Sequence, residues 1–349
     1  MTRPDIDADV ASLRTLISAT FGEDVIRIGM PGGEKRPVYR VHTPNRSVIV
    51  ARRVDSTGLR HERAALAKLA TAGCDRVPEV LHEQGDLTVI RDLGRRRLNV
   101  VLHQRGAEAA AELLRDALRA LVDIHTCAAR VEWGDLLAPI TATRKEIRHF
   151  ARGPERLARL YGLPVPKVEV DALQAVLTVD TPRMVKWDCR SANAALDDAD
   201  RIGWFDFEHC GLRGGYEDFG WLIADEALPM EVAPIYDSLR PILRDAALSD
   251  DPAKQEDYIK RFEIFTCLHA SLRLRVIRNE LKKKSWTPAH RILRYDLVGA
   301  DPHMAARVAR TGGFLARRHR ETRSFAPLFQ EVEQIFVRAL SLPRTPPGV

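Results

Sequence analysis

The sequence has no apolar run that approaches the ~18 residues needed to cross a bilayer. Its first ten residues are polar and acidic, unlike a signal peptide, so we expect a cytoplasmic protein with no membrane partner. The five cysteines are widely scattered and form no C-x-x-C pair, so neither a disulfide framework nor a zinc site is expected. Aromatic residues make up only 6% of the chain and no nucleic-acid-binding signature is present, so nucleic acid ranks last among the expected partners.

What the chain does contain is the composition of a folded protein, with 45% hydrophobic and 29% charged residues over 349 positions. This length fits one two-lobed domain or two domains. Residues 240–349 contain 21 Lys and Arg against 12 Asp and Glu, a local balance of +9. This part of the chain should therefore repel a polycationic ligand.

The predicted elements change character near residue 94. Before it, strand-like runs are predicted at 24–29, 38–42, 47–54, 77–83 and 87–92, with helices at 8–21 and 59–72. After it, helical periodicity covers 107–129, 143–161, 171–179 and most of 216–340, interrupted by strand-like segments at 184–188, 194–196 and 201–207. We therefore predict an α+β fold with a β-rich lobe over residues 1–94, a mostly helical lobe over 95–341 and a disordered tail over 342–349.

The second lobe carries an Asp–Asn–Asp spacing. Asp188 is followed by Asn193 five residues later, and Asp206 comes thirteen residues after that. Kinases arrange a catalytic carboxylate and two magnesium ligands, an amide and a carboxylate, in this order. The spacing alone is weak because Asp and Asn also favour turns. The strand–loop–strand context strengthens the hypothesis, because it would present all three side chains at one edge of a small sheet.

Two neighbours of this motif have open interpretations. Arg190 would either direct a cation at the transferring phosphoryl oxygens or be a surface cation on a loop. Glu208 would be either a secondary metal ligand or a solvated turn carboxylate. Asp206 itself lies between two phenylalanines, where a carboxylate is costly unless it is paired or metal-bound.

The first lobe offers groups that could contact phosphates. Gly32 and Gly33 lie in a turn where backbone N–H groups could approach phosphate, although a Gly-Gly hairpin is often only a turn. Arg52 and Arg53 both offer a cation on the third strand. Strand alternation lets only one of them face a cleft, and the sequence does not decide which. Glu62, in the following helix, would fix the direction of that cation or be a solvated helix residue.

These elements, in this order, resemble the aminoglycoside phosphotransferase and choline kinase-like family, a branch of the protein-kinase-like fold. The resemblance covers about residues 25–228. It is best at Gly32-Gly-Glu-Lys-Arg-Pro-Val-Tyr-Arg-Val41, at Asp188–Asn193, at Phe205-Asp-Phe-Glu208 with Gly211, and at Tyr216-Glu-Asp-Phe219. The resemblance implies ATP and Mg²⁺ as cofactors, with Asp188 as the catalytic base and Asn193 and Asp206 as the magnesium ligands.

The resemblance implies further roles. Arg91, Asp92 and Leu93 match the hinge where the adenine base hydrogen-bonds backbone groups. Asp218 matches an Asp that starts a helix in the family and is expected to be structural. His125 is also expected to be a satisfied structural histidine.

Two departures from the family pattern matter. Lys186 and Trp187 replace the usual His and Gly before the catalytic Asp, and an Arg replaces the third-strand Lys. We expect Lys186 to pair with Asp188, which would lower the basicity of that carboxylate. Arg for Lys is not a neutral exchange, because a planar fork replaces a compact ammonium.

The sequence therefore predicts an ATP- and Mg²⁺-dependent phosphotransferase that acts on a hydroxyl of a small molecule. The alternative is a catalytically inactive, kinase-like nucleotide-binding module. Relatives that take aminoglycosides or choline resemble one another in presenting acidic or aromatic surfaces from the helical lobe, whereas that region is basic here. We therefore expect a neutral or anionic acceptor, such as a sugar, a sugar acid or a hydroxylated metabolite.

Overall fold

A computed structural model describes residues 6–31, 33, 37–53 and 55–341 of the chain. The tail predicted over 342–349 and Gly32 lie outside the described residues. None of the helices in the described ranges is both long and apolar enough to cross a membrane.

The first part of the chain forms a five-stranded antiparallel sheet with two helices. Its elements are α1 (Ile6–Phe21), β1 (Arg27–Gly29), β2 (Val38–His42), β3 (Ser47–Arg52), α2 (Ser56–Thr71), β4 (Val80–Gln84) and β5 (Leu87–Arg91). The strand order is β1-β2-β3-β5-β4. Alternation along β3 sends Val48 and Val50 into a core with Leu13 and Ile17 of α1, so the intervening residues face the opposite side.

The second part is mostly helical. Its elements are β6 (Arg96–Arg97), α3 (Leu98–Gln104), α4 (Ala107–Ala128), α5 (Arg144–Ala151), α6 (Gly153–Tyr161), α7 (Val170–Leu177), β7 (Arg183–Val185), β8 (Ala194–Leu196), β9 (Ile202–Trp204), β10 (Gly211–Arg213), α8 (Tyr216–Ile223), α9 (Tyr236–Ala246), α10 (Pro252–Leu281), α11 (Ala289–Tyr295), α12 (Pro302–Ala316) and α13 (Ala326–Leu340). Strands β6, β8 and β9 form one small sheet, and β7 pairs with β10. Helix α10 is buried on nearly all sides among α6, α8, α9 and α12. The predicted α+β fold is confirmed, and the lobe boundary at residue 94 stays a prediction.

One predicted helix is divided. The sequence predicted a single helix over 143–161, whereas the structure has α5 and α6 with a break at Arg152. Pro154 lacks a backbone N–H and cannot continue the hydrogen-bond ladder of α5, so it occupies the first turn of α6 instead. The short elements α3, β6 and β10 carry too little periodicity to be assigned from sequence.

The two loops that carry the acidic motif leave their strands earlier than predicted. Strand β7 ends at Val185 and β9 ends at Trp204. Trp187, Asp188 and Asp206 then adopt positive φ values of 60°, 45° and 68°. Such backbone geometry is uncommon for residues other than glycine and is retained where the surroundings fix it. The motif residues therefore lie on sharply turned loops rather than on strand ends.

The connection from β5 to β6 depends on the backbone conformation of Gly94, and a substitution there tests its contribution to stability. Its φ is +120°, and a Cβ at this position would collide with the carbonyl oxygen of Leu196. We expect Gly94→Ala to lower the free energy of unfolding by about 1–3 kcal/mol, measured by chemical denaturation. Gly29→Ala is the control, because Gly29 has free space around its Cα and no positive φ. Equal effects of the two substitutions would contradict this interpretation.

Candidate functional site

A cleft of about 1110 Å³ lies between the five-stranded sheet and the helical part. This volume slightly exceeds the ~300–1,000 Å³ typical of small-molecule sites. The sheet contributes an apolar wall of Val38, Ile49, Ala51 and Ile90, and Phe205 contributes to the lining from the loop after β9. Side chains of this kind form a slot suited to a flat, apolar ring.

Arginine dominates the charged lining of the cleft. Among the described residues, nine arginines and six carboxylates line it: Arg40, Arg52, Arg53, Arg91, Arg95, Arg96, Arg97, Arg190, Arg294, Glu62, Asp92, Asp188, Asp206, Glu208 and Asp296. The net charge of this lining is positive, which favours anionic ligands.

Arg53 holds three carboxylates of the site together. Its Nε and Nη2 atoms donate to both carboxylate oxygens of Glu62, each at 3.0 Å. Nη2 also donates to Asp206 Oδ1 at 2.7 Å, and Nη1 lies 3.0 Å from Glu208 Oε2. Burial alone would lower the pKa of Arg53, but the charge of Glu62, followed by those of Asp206 and Glu208, raises the pKa well above its ordinary value. One planar fork therefore fixes groups from α2 and from the loop after β9.

Arg52 makes different contacts from Arg53. Its Nε lies 3.2 Å from Asp86 Oδ2 in the β4–β5 turn, and both side chains are substantially exposed. Arg52 lines the edge of the cleft, whereas the neighbouring Arg53 contacts Glu62. The choice that the sequence left open between Arg52 and Arg53 is thus decided by these contacts.

The carboxylate of Asp188 is held within its own loop. Arg190 donates from Nε to Oδ1 at 2.9 Å and from Nη2 to Oδ2 at 3.2 Å. Asn193 donates from Nδ2 to the backbone oxygen of Asp188 at 3.0 Å and to Oδ2 at 3.1 Å. The motif spacing of five residues thus closes a compact loop around the proposed base.

Arg190, which the sequence left as either a phosphoryl-directed cation or a surface cation, is mostly buried and paired. Its Nη1 also donates to Asp296 Oδ1 at 2.8 Å, so two carboxylates bind its guanidinium. Burial opposes the charged form of Arg190, but Asp188 and then Asp296 outweigh it and raise the pKa of Arg190 well above its ordinary value. Asp296 lies far along the chain from the motif, and no local pattern identified it.

The predicted pairing of Lys186 with Asp188 is wrong. The Lys186 ammonium is fully buried and donates to the backbone oxygen of Asp206 at 3.0 Å and, more weakly, to that of Trp187 at 3.4 Å. It also lies 5.3 Å from the centre of the Phe207 ring. Because the chain turns sharply at Trp187, the Lys186 side chain bridges the two motif loops instead of contacting the base. Carbonyl oxygens and an aromatic face replace the water that this cation has lost.

Asp206 and Glu208 respond oppositely to burial and charge. Burial would raise the pKa of Asp206, but Arg53 and Lys186 outweigh it and hold that pKa below its usual value. For Glu208, burial and then the neighbouring Asp206 carboxylate raise the pKa. The repulsion between the Asp206 and Glu208 carboxylates is therefore only partly offset by the neighbouring cations.

Asp218 and His125 have the contacts of structural residues. The carboxylate of Asp218 accepts hydrogen bonds from the backbone N–H groups of Lys186 and Trp187, both at 2.8 Å. His125 Nε2 lies 2.9 Å from the same carboxylate. Asp225, which the sequence did not single out, accepts bonds from both the backbone N–H and the hydroxyl of Ser191. Together these buried acids fix the loop that carries Asp188.

The predicted hinge residues Arg91, Asp92 and Leu93 all line the cleft. The side chain of Asp92 is held by Arg40 and Ser47. Burial would raise the pKa of Asp92, but these two partners hold it below its usual value.

Of the predicted glycine turn, Gly33 is described. A Cβ there would lie 3.9 Å from the ring of Tyr295, so this turn approaches α11. Gly33 itself is therefore close to α11.

A second cavity of about 530 Å³ also reaches Asp188. It shares Glu208 and His209 with the large cleft, and Trp187 and Trp221 line its other walls. The proposed base is therefore accessible from two sides.

The donor set next to the base fits a magnesium ion. Asn193, Asp206 and Glu208 offer hard oxygen atoms, the type of ligand that Mg²⁺ prefers. The Asn193 amide nitrogen is used in bonds to Asp188, which leaves its oxygen for a metal. The carboxylates of Glu62, Asp206 and Glu208 outnumber the cations Arg53 and Lys186 by one, so a bound cation would relieve the crowding that raises the pKa of Glu208.

Solved structures of kinases share this fold. A choline/ethanolamine kinase family protein from Mesorhizobium loti is 13% identical with a TM-score of 0.52, over 93% of this chain and 99% of the other. A variant of aminoglycoside 2′-phosphotransferase IIIa in complex with GDP is 12% identical with a TM-score of 0.51, over 94% of this chain and 97% of the other. These similarities confirm the predicted protein-kinase-like fold.

The sequence model of the phosphotransferase enzyme family matches residues 28–254. This range is more than half of the chain, and the chain belongs to that family. The family resemblance noted from the motifs is thereby confirmed. No curated protein matches the sequence significantly.

Replacing Arg53 should leave three acidic groups without their common partner. We expect Arg53→Met to lower the free energy of unfolding by about 3–5 kcal/mol, as is typical when a buried charge loses its partner. Arg52→Met is the matched control and should change it by less than about 1 kcal/mol, since its pair is exposed. Chemical denaturation measures both, and a larger effect of Arg52→Met would refute the assignment of Arg53 as the central cation.

Proposed function

We propose that this chain is an ATP- and magnesium-dependent phosphotransferase that transfers the γ-phosphoryl group to a hydroxyl of a small molecule. The observation that carries the proposal is that Asp188, Asn193 and Asp206 line one cleft, beside the cluster built on Arg53. Membership of the phosphotransferase enzyme family agrees with this function.

The nucleotide would occupy the cleft with its base in the apolar slot beneath the sheet. Its backbone partners would come from the hinge at Arg91, Asp92 and Leu93, and its phosphates would point towards Arg53 and Asp206. One structure of the same fold is a GDP complex, which supports a nucleotide as the ligand and leaves the choice of base open. Asn193 and Asp206 would hold the magnesium ion, with Glu208 nearby. The metal would supply positive charge that offsets the negative charge developing during transfer.

Asp188 would orient the acceptor hydroxyl and accept its proton. Its carboxylate is already directed by Arg190 and Asn193, so little reorientation would be needed before the reaction. The expected acceptor is neutral or anionic, which agrees with the positive lining of the cleft.

A catalytically inactive nucleotide-binding module is the second candidate. The two hydrogen bonds from Arg190 to Asp188 favour it, because they occupy both carboxylate oxygens to which an acceptor hydroxyl would have to bind. The two candidates differ in whether the protein consumes ATP when an acceptor is present.

Substituting the base and the metal ligand separates these roles. We expect Asp188→Asn to lower the rate of ADP formation by about 10²–10⁴-fold. ATP with Mg²⁺ should still raise the melting temperature of this variant. Asp206→Asn should abolish the part of that stabilisation which depends on Mg²⁺, since binding stabilises only through the folded state. If ATP with Mg²⁺ stabilises the unsubstituted protein but no acceptor causes it to form ADP, the inactive module is favoured. Absence of any nucleotide effect would refute both candidates.

A further inference from the structure

Besides the groups assigned above to a nucleotide and its metal, the large cleft is lined by α3 and α11. These two helices form the end of the cleft that lies next to Arg190. The lining there includes Arg97, His103, Gln104, His290, Leu293 and Arg294. The cleft thus has space for a second molecule beside the loop that carries Asp188.

Hydrogen bonds fix the walls of this end. The Asn99 side chain of α3 donates from Nδ2 to the backbone oxygen of Leu293 in α11 at 2.9 Å. Immediately after α11, Asp296 binds Arg190 at 2.8 Å. Helix α11 is therefore tied both to α3 and to the catalytic loop, and the end of the cleft is a formed wall.

The charge at this end is positive. Asp188 and Asp296 are its acidic groups, and both are bound by Arg190. Burial lowers the pKa of His103, whose Nε2 lies 2.8 Å from the backbone oxygen of Ala227, so this ring is neutral near pH 7. The acidic groups are thus already neutralised within the wall.

Arg294 is a cation at this end whose charge is not balanced by a carboxylate of the described residues. Its guanidinium lies 5.2 Å from the centre of the exposed Tyr295 ring. Within the described ranges no carboxylate forms an ion pair with it. By contrast, Arg40, Arg53 and Arg190 in the same cleft are each bound to carboxylates. A cation left without an acidic partner at the mouth of a cleft attracts an anionic group.

We propose that Arg294 binds a carboxylate or phosphate group of the acceptor, so that the substrate of this phosphotransferase is a hydroxylated acid. This inference rests on the proposed function. The acceptor would lie between α11 and Asp188, with its anionic group at Arg294 and its hydroxyl at the base. A guanidinium suits this role because its planar fork can bind two oxygen atoms of one anionic group.

The same chemistry has a second source, since a nucleotide phosphate is also an anion. The two sources differ in which Michaelis constant depends on Arg294. If Arg294 binds the acceptor, its replacement raises the KM of the acid and leaves the KM of ATP unchanged.

The test compares matched acceptors that share one hydroxyl: a panel of hydroxy acids and sugar acids, their neutral carboxamides, and the corresponding amines. We expect the acids to be phosphorylated with the highest kcat/KM. Arg294→Gln should raise the KM for the acids by about ten- to hundredfold, the loss expected for a hydrogen bond to a charged group, and should leave the carboxamides unaffected. Arg291→Gln is the matched control, because Arg291 lies on the same helix, is exposed and does not line the cleft.

A second measurement does not depend on turnover. The protein saturated with Mg²⁺ and a non-hydrolysable ATP analogue is melted with each member of the panel. Acids should raise the melting temperature further in the unsubstituted protein and in Arg291→Gln, but not in Arg294→Gln. No additional rise with any acid, or equal rises with acids and carboxamides, would overturn the proposal. Preferred binding of the amines would also overturn it and would direct attention to the smaller cavity with Trp187 and Trp221. In each of these cases the stabilisation by Mg²⁺ and nucleotide alone still reports independently on the proposed function.

Discussion

The arrangement of this site depends on one guanidinium. Arg53 leaves the sheet directly after β3 and binds Glu62 of α2 together with Asp206 and Glu208 of the loop after β9. These side-chain contacts of Arg53 connect the sheet, α2 and the loop after β9. The contact is only partly exposed, so water screens it weakly and its geometry matters more than that of a surface pair. A compact ammonium could not make all four of these contacts, which gives a physical reason for Arg at the position where the family resemblance led us to expect Lys.

A second cation, Lys186, contacts the loop after β9 from its other side. Lys186 bonds the backbone oxygen of Asp206, while Asp218 holds the backbone N–H groups of Lys186 and Trp187. Side chains thereby stabilise the unusual left-handed backbone at Trp187 and Asp206. The two motif loops are connected through Lys186 rather than through a contact between their acidic groups, which would repel each other. This arrangement places Asp188 and Asp206 in the lining of the same cleft without direct contact between their carboxylates.

The sequence predicts what is encoded locally. The motif of Asp188, Asn193 and Asp206 could be identified because its spacing is short and its loop closes on itself through the Asn193 amide. The strands could be identified because their alternation is regular. The choice between Arg52 and Arg53 could not be made, because the alternation of β3 does not show which of its faces α1 covers. Packing of α1 against Val48 and Val50 decides this, and Arg53 then lies on the same side as Ile49 and Ala51.

Contacts between distant parts of the chain explain the other differences. Lys186 was expected to bind the nearest acid in sequence. Instead, the chain turns at Trp187, whose φ is positive, and the Lys186 side chain contacts the backbone oxygen of Asp206. Asp296 follows a short helix with no motif of its own, and its role arises only when that helix packs beside Arg190.

The same packing has a consequence for specificity. Because Asp296 and Asp188 share Arg190, the wall that would select the proposed acceptor is joined through one guanidinium to the proposed base. On the proposed function, a substitution in α11 would therefore act on the position of Asp188 as well as on acceptor binding.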